Sequence, residues 1–152
     1  MRDRALLLSL HPRFAQAILD GTKTIDLRRR VVRASPGTPL LLYASSPMMA
    51  VVGTARLQRA EVCEADVAWS NHAHALGLDR REFDDYLAGR SACLLLLDDV
   101  CALDQPMSLK ELGGRAGFRP PQSYRYVSAS DPALVRALGT NSIGGGSQSP
   151  AS

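Results

Sequence analysis

Apolar and polar positions change their period several times along the chain, and each change marks an element. The chain starts on a short apolar run, "ALLLSL", that stops at His11 and Pro12. Proline lacks an N–H and is tolerated in a first helical turn, so the pattern predicts a strand over 5–9 and a helix over 12–20. Phe14, Ala17 and Ile18 recur at helical spacing, and Gly21 stands where a left-handed stop is wanted. "KTIDLRR" then alternates. Ile25 and Leu27 fall on one face and Thr24, Asp26 and Arg28 on the other, as in a half-buried strand. "SPGTP" reads as a turn, followed by strands in "LLLYASS" and "AVVGTARLQ" with Pro47 between them.

Residues 61–90 shift to helical spacing with Gly77 and Gly89 as stops, which predicts two helices. "SACLLLLDDVCAL" is a continuous apolar run ending in acids, the pattern of a central strand. "PMSLKELG" predicts a short capped helix and "PPQSYRYV" a last strand. "DPALVRALG" adds a helical turn or two. "TNSIGGGSQSPAS" has the composition of a disordered tail, so the expected organisation is one domain over 1–139 and a Gly/Ser-rich tail over 140–152. A helix between the first two strands, and a sheet interrupted by two helices, give an α+β layout with a small curved sheet or barrel.

Composition narrows the setting. The 152 residues, 45% of them hydrophobic, suffice for one globular core. No run of about 18 apolar residues occurs, and the first residues lack a signal-peptide pattern, so no membrane span and a cytoplasmic location are expected. Cys63, Cys93 and Cys101 are odd in number and lack C-x-x-C spacing, which suggests reduced, buried thiols rather than a disulfide framework or a zinc knuckle. The net charge of +3 hides a segregation: the balance is +7 over residues 1–59, −7 over 60–111 and +3 over 112–152. Either the first third and the late segment build a basic surface, or the blocks pair with each other.

Of 18 basic residues only Lys23 and Lys110 are lysine. An amine can lose its proton when desolvated, which a guanidinium does not, so Lys23 is a candidate base or charge stabiliser; a surface lysine is the competing reading. Parity places it either inward with Ile25 and Leu27 or in the turn after Gly21. Asp26 and Arg28 share a strand face, suited to gripping a polar ligand or to pairing with each other. Arg28, Arg29, Arg30 and Arg33 are the densest basic run, suited to phosphates, or else a charged strand edge. Tyr43, Ser45 and Ser46 offer hydroxyls at the end of the third strand. In the last strand, Ser123 and Arg125 are expected on the accessible side and Tyr124 and Tyr126 together on the other. His72 and His74 lack further ligands at metal spacing, so no metal or other cofactor is expected. Trp69 is expected to pack the acidic helix onto the sheet.

Gly21, Lys23, Asp26 and Arg28 spell G-x-K-x-x-[ED]-x-R, placed between the first helix and the second strand, with "YASSP" and "PPQSYRY" following in order. The chain up to about residue 127 resembles the ASCH domain family of the PUA-like superfamily. The resemblance implies a β-barrel of about six strands decorated by helices, a cleft lined by the motif, and RNA or a nucleotide as partner. Family members are linked to transcription or translation control, to ribonuclease activity and to hydrolysis of acetylated cytidine. The leading expectation is a metal-independent ribonuclease on single-stranded RNA, with Lys23, Asp26, Tyr43 and Ser123 catalytic and Arg28, Arg29, Arg30, Arg33, Ser45, Ser46 and Arg125 binding RNA or nucleotide. The alternatives are a non-catalytic RNA- or effector-binding regulator and an amidohydrolase of acylated nucleosides. Two positions depart from the pattern: Asp26 stands where glutamate is usual, and Met49 where relatives often carry a lysine whose charge a thioether cannot supply.

Overall fold

The computed structural model describes residues 4–145. Six strands form one curled sheet in the order β2-β5-β4-β3-β1-β6. They are β1 (Leu6–Leu10), β2 (Ile25–Arg28), β3 (Pro39–Ala44), β4 (Ala50–Cys63), β5 (Ala92–Ser108) and β6 (Tyr124–Tyr126). β1 and β3 run parallel, with Ser9 opposite Tyr43, and every other pairing is antiparallel. Three register shifts along β4 and β5 bend these long strands, because a bulge adds local twist where it breaks the ladder. The result is a half-barrel of the α+β class. The predicted barrel is therefore open, with β2 and β6 as its two edges.

Helix α1 (Pro12–Asp20) occupies the span its pattern predicts, with Pro12 in the first turn and Gly21 at φ 85° closing the end. That stop lets the Lys23 backbone N–H reach back to the Ala17 carbonyl at 3.1 Å, which folds the chain tightly from α1 into β2. Helix α2 (Ala65–His72) continues into a single 3-10 turn, Ala73–Ala75, before α3 (Arg80–Leu87). Asp79 and Glu82 close a reciprocal capping box on α3. A one-turn helix α4 (Gly114–Gly117) and helix α5 (Ala133–Gly145) complete the elements. Helix α5 thus overlaps the start of the expected tail, and 146–152 lie outside the described residues.

Strand parity sorts the core into three groups. Leu6, Leu8, Leu10, Leu40, Leu42, Leu95 and Ile18 fill the concave interior. Leu7, Leu41, Tyr43, Val51 and Phe118 pack on the convex side with Val135 of α5. Ile25, Leu27 and Leu94 sit beneath Phe83 and Leu87 of α3, where Trp69 meets Phe83 at 5.1 Å between ring centres.

Two expectations are corrected. The "PMSLKELG" helix does not form: β5 runs on to Ser108 and residues 109–113 are turns. The capping-box bonds are nevertheless made, Ser108 N–H to Glu111 Oε1 and Glu111 N–H to Ser108 Oγ, both at 3.0 Å. Gly113 and Gly114, both at positive φ, stop the helix that those bonds begin. The thiols are free, but only Cys93 is buried; Cys63 is half-buried and Cys101 exposed.

Arg125 sits in β6 against Phe118 and holds Asp131 in a two-point ion pair at 2.7 and 2.8 Å. This pair ties β6 to the start of α5. Hydrogen bonding from the guanidinium, helped by the Ser128 N–H, holds the Asp131 carboxyl below its ordinary value. A lowered carboxyl pKa contributes stability that is complete above the ordinary value of 3.8 and is lost as the pH falls through the lowered one. Asp131→Asn is expected to lower the unfolding free energy by about 1–3 kcal/mol at pH 7 and to flatten the acid limb of stability, read by urea denaturation at pH 7 and below pH 4.

Candidate functional site

The concave face opens where β1 ends and α1 begins, and two clefts meet there. The larger, about 630 Å³, is lined by Lys23, Asp26, Arg28, Arg29, Arg30, Tyr86 and Ser123 among others. The smaller, about 380 Å³, is lined by Tyr43, Ser45, Ser46, Met49, Pro120 and Pro121. Both share Ser9, Leu10, His11 and Gln122, which form the ridge between them.

Parity in β2 explains the floor of the larger cleft. Ile25 and Leu27 turn under α3, so Asp26 and Arg28 turn to the concave side, where their strand partners are Leu95 and Cys93 of β5. Both charges are buried and joined by a 2.6 Å bond from Arg28 Nε to Asp26 Oδ2. The other end of the guanidinium crosses to the far edge of the sheet. Nη1 donates to the Ser123 hydroxyl at 3.0 Å and the Ser123 carbonyl at 3.2 Å, and Nη2 donates to the Ser9 carbonyl at 3.1 Å. Burial by itself would weaken the guanidinium's hold on its proton, but Asp26 more than offsets this and the net direction is upward. The reading of Asp26 and Arg28 as a structural pair is thus the one their contacts favour. Arg28 has little donor capacity left for a ligand.

Lys23 lies in the turn after Gly21, not on the strand, and is 2% exposed. Its Nζ donates to the Leu76 carbonyl and lies 4.8 Å from the centre of the Phe14 ring. The stem passes over Gly77, at φ 74°, where an added Cβ would come within 3.0 Å of Lys23 Cδ; glycine is required by both the backbone and the space. Desolvation pulls the Lys23 pKa from 10.5 to about 8; Asp26 opposes the fall, and Arg28 and Arg13 add to it. The amine is unusual, as its rarity suggests, but it is turned toward a backbone carbonyl.

Arg29 and Arg30 are exposed on the rim. Arg29 lies over Tyr86, 5.2 Å from the ring centre, and donates to its carbonyl at 3.3 Å. Arg30 makes no hydrogen bond or ion pair among the described residues. Arg33 is exposed but outside both clefts, and its carbonyl accepts the Tyr126 hydroxyl at 2.6 Å. Arg125 also lies outside both, held by Asp131, so these two expected RNA contacts are not brought to the site. Charge pairing between blocks does occur, at Arg13–Glu82 (2.8 Å) and Arg56–Asp99 (3.4 Å), yet it leaves the rim arginines uncommitted to acids.

Tyr43 is 2% exposed and packs on Phe118, 5.9 Å between ring centres. The expected single cleft therefore resolves into two: Lys23, Asp26, Arg28 and Ser123 on one side of the ridge, Tyr43, Ser45 and Ser46 on the other. Tyr124 and Tyr126 pack against the concave core. Among the described residues no three His, Cys, Asp or Glu side chains gather as metal ligands would, and no helix is long and apolar enough to cross a membrane.

Sequence reasoning missed Ser9, His11, Tyr86 and Gln122. The available signal was the position of "SLHP" at the carboxyl end of a strand that feeds a helix. Tyr86 carried no such signal, because only the packing of α3 beside β2 brings it to the rim.

The half-barrel with a cleft at its open edge defines a PUA-like fold. A family model described as a domain of unknown function, DUF365, matches residues 5–117. A curated relative from Zymomonas mobilis subsp. mobilis, named ASCH domain-containing ribonuclease, is 32% identical over 134 residues, covering 87% of this chain and 90% of its own. A crystal structure of a serine-to-alanine variant of the ASCH protein from Zymomonas mobilis superposes with a TM-score of 0.80 at 30% identity, covering 91% of this chain and 99% of that one. The N-terminal domain of Staphylothermus marinus McrB, at 9% identity and a TM-score of 0.55 over 92% of this chain and 95% of its own, is alike in fold alone. This chain belongs to the ASCH domain family.

Two stability measurements probe the buried charges. Asp26→Ala leaves a guanidinium buried without its counter-charge and is expected to cost about 3–5 kcal/mol in urea unfolding, whereas Asp26→Leu with Arg28→Met is expected to cost less. For Lys23 the unfolded chain binds the proton more tightly than the folded one between about pH 8 and 10.5, so stability rises with pH across that window. The rise is expected to reach ~3 kcal/mol and to disappear in Lys23→Met, followed by denaturation from pH 7 to 10.5.

Proposed function

We propose that this protein binds single-stranded RNA across the two joined clefts and cleaves it. The observation that carries the reading is the rim of the larger cleft, where Arg29 and Arg30 stand exposed beside Tyr86 and Ser123 over a fixed Arg28–Asp26 floor. Exposed guanidiniums suit phosphate oxygens, an aromatic face suits an unstacked base, and hydroxyls suit a 2′-OH or a phosphate. The relative named as a ribonuclease supports the reaction class. In this assignment Arg29 and Arg30 take phosphates, and Tyr43, Ser45, Ser46 and Ser123 supply hydroxyls along the strand's path. Lys23 and Asp26 act from beneath the cleft, Lys23 through its charge and Asp26 by fixing Arg28.

A second reading, RNA binding without turnover, is favoured by Met49. It lines the smaller cleft at the wall shared with Tyr43 and Ser45 and offers a thioether where an amine would stabilise developing charge. End-labelled mixed-sequence single-stranded RNA separates the two. Binding with cleavage supports the first, binding without cleavage the second, and no binding overturns both. Arg29→Ala with Arg30→Ala is expected to weaken binding and to reduce the slope of log affinity against log salt by about 1.4, measured by fluorescence anisotropy.

A further inference from the structure

We infer that His11 is the proton-transfer residue of this site, taking the proton from a ribose 2′-OH as that oxygen attacks the adjacent phosphorus. The inference rests on the ribonuclease reading above and assigns its chemistry to a residue that neither the motif nor the basic run contains. His11 stands at the carboxyl end of β1 and lines both clefts, so a strand lying across the ridge passes over its ring. The side chain is exposed, and its ring meets Phe14 edge-on with centres 6.1 Å apart. Its backbone carbonyl accepts the Ala15 N–H at 2.9 Å, while its side chain makes no hydrogen bond among the described residues and does not cap α1.

Three other ionisable groups that line the larger cleft are held by contacts of their own. Lys23 Nζ is buried and turned to the Leu76 carbonyl. Asp26 is buried in its pair with Arg28. Glu82 accepts the Asp79 N–H at 3.0 Å and pairs with Arg13 at 2.8 Å, contacts that hold its carboxyl in the charged form. The His11 imidazole, with no side-chain hydrogen bond, stands between the two clefts where a group that accepts the 2′-OH proton has to lie.

The step balances without an oxidant or co-reactant. The imidazole accepts the 2′-OH proton, the 2′ oxygen forms a bond to phosphorus, and the bond from phosphorus to the 5′ oxygen breaks. That oxygen takes a proton from water, and the imidazolium gives its own to the hydroxide so formed. The products are a 2′,3′-cyclic phosphate and a free 5′-hydroxyl, with Arg29 and Arg30 placed to hold flanking phosphates.

The test compares the parent with His11→Asn and His11→Ala on end-labelled RNA, in Mg²⁺ and in EDTA, alongside binding by anisotropy and thermal unfolding. Asparagine is a good helix cap, so His11→Asn keeps α1 while removing the base. The expected result is a loss of cleavage of about 100-fold or more in both variants, with RNA affinity and melting temperature held, and partial recovery of His11→Ala by added imidazole. Cleavage retained by His11→Asn, or affinity lost in step with cleavage, overturns the role of His11 while leaving a ribonuclease. A parent that binds RNA without cutting it in either buffer overturns both the ribonuclease reading and this one.

Discussion

Strands β2 and β6 end the sheet and exchange no backbone hydrogen bonds, and the guanidinium of Arg28 spans the gap between them. Its Nε is held by Asp26 on its own strand, and its two terminal nitrogens reach carbonyls of Ser123 and Ser9 on the far side. A planar fork with fixed donor directions can bridge two strands in this way; a lysine, with one point of charge, could not hold three acceptors in register. The bridge also explains why a charged pair is retained in the interior. Apolar residues of equal volume would pack at less desolvation cost but would not join the edges.

The same bridge places the two clefts. Because the edges are joined by side chains, Arg28 to Ser123 and Tyr126 to the Arg33 carbonyl, and not by a ladder of backbone bonds, the wall of the half-barrel stays open at this point. The ends of β1 and β2 and the segment before β6 therefore converge on a shared mouth. The short chain between α1 and β2 then turns Lys23 inward beneath that mouth, against Phe14 and over Gly77. The cleft thus combines a buried amine, a buried ion pair, and rim arginines without acid partners among the described residues.

Membership of the ASCH family fixes the fold, and two positions of the clefts depart from the pattern that the resemblance implies. Shortening glutamate to Asp26 still gives a 2.6 Å bond to Arg28. Met49, where the family resemblance implies an amine, gives the smaller cleft a thioether in its wall. The two changes differ in kind, since one preserves an interaction of the framework and the other alters the chemistry offered to a ligand.

Local pattern was enough to find most of the architecture. The helix Pro12–Asp20 follows from Pro12, the spacing of Phe14, Ala17 and Ile18, and Gly21, all of which act within a few residues. Alternation in β2 correctly put Asp26 beside Arg28, and order along the chain was enough for the family resemblance. The failed helix at 106–113 shows where local signals compete, because a completed capping box was overruled by two glycines at positive φ. What the sequence could not determine was how far a charge is already committed. Arg125 reads as accessible until Asp131 takes both its ends, Lys23 as a free amine until the Leu76 carbonyl accepts its hydrogen bond, and His11 as a helix start until two clefts meet at its ring. Lys23 and Arg28 find their partners 53 and 95 residues away in sequence, and only the tertiary fold brings these within reach.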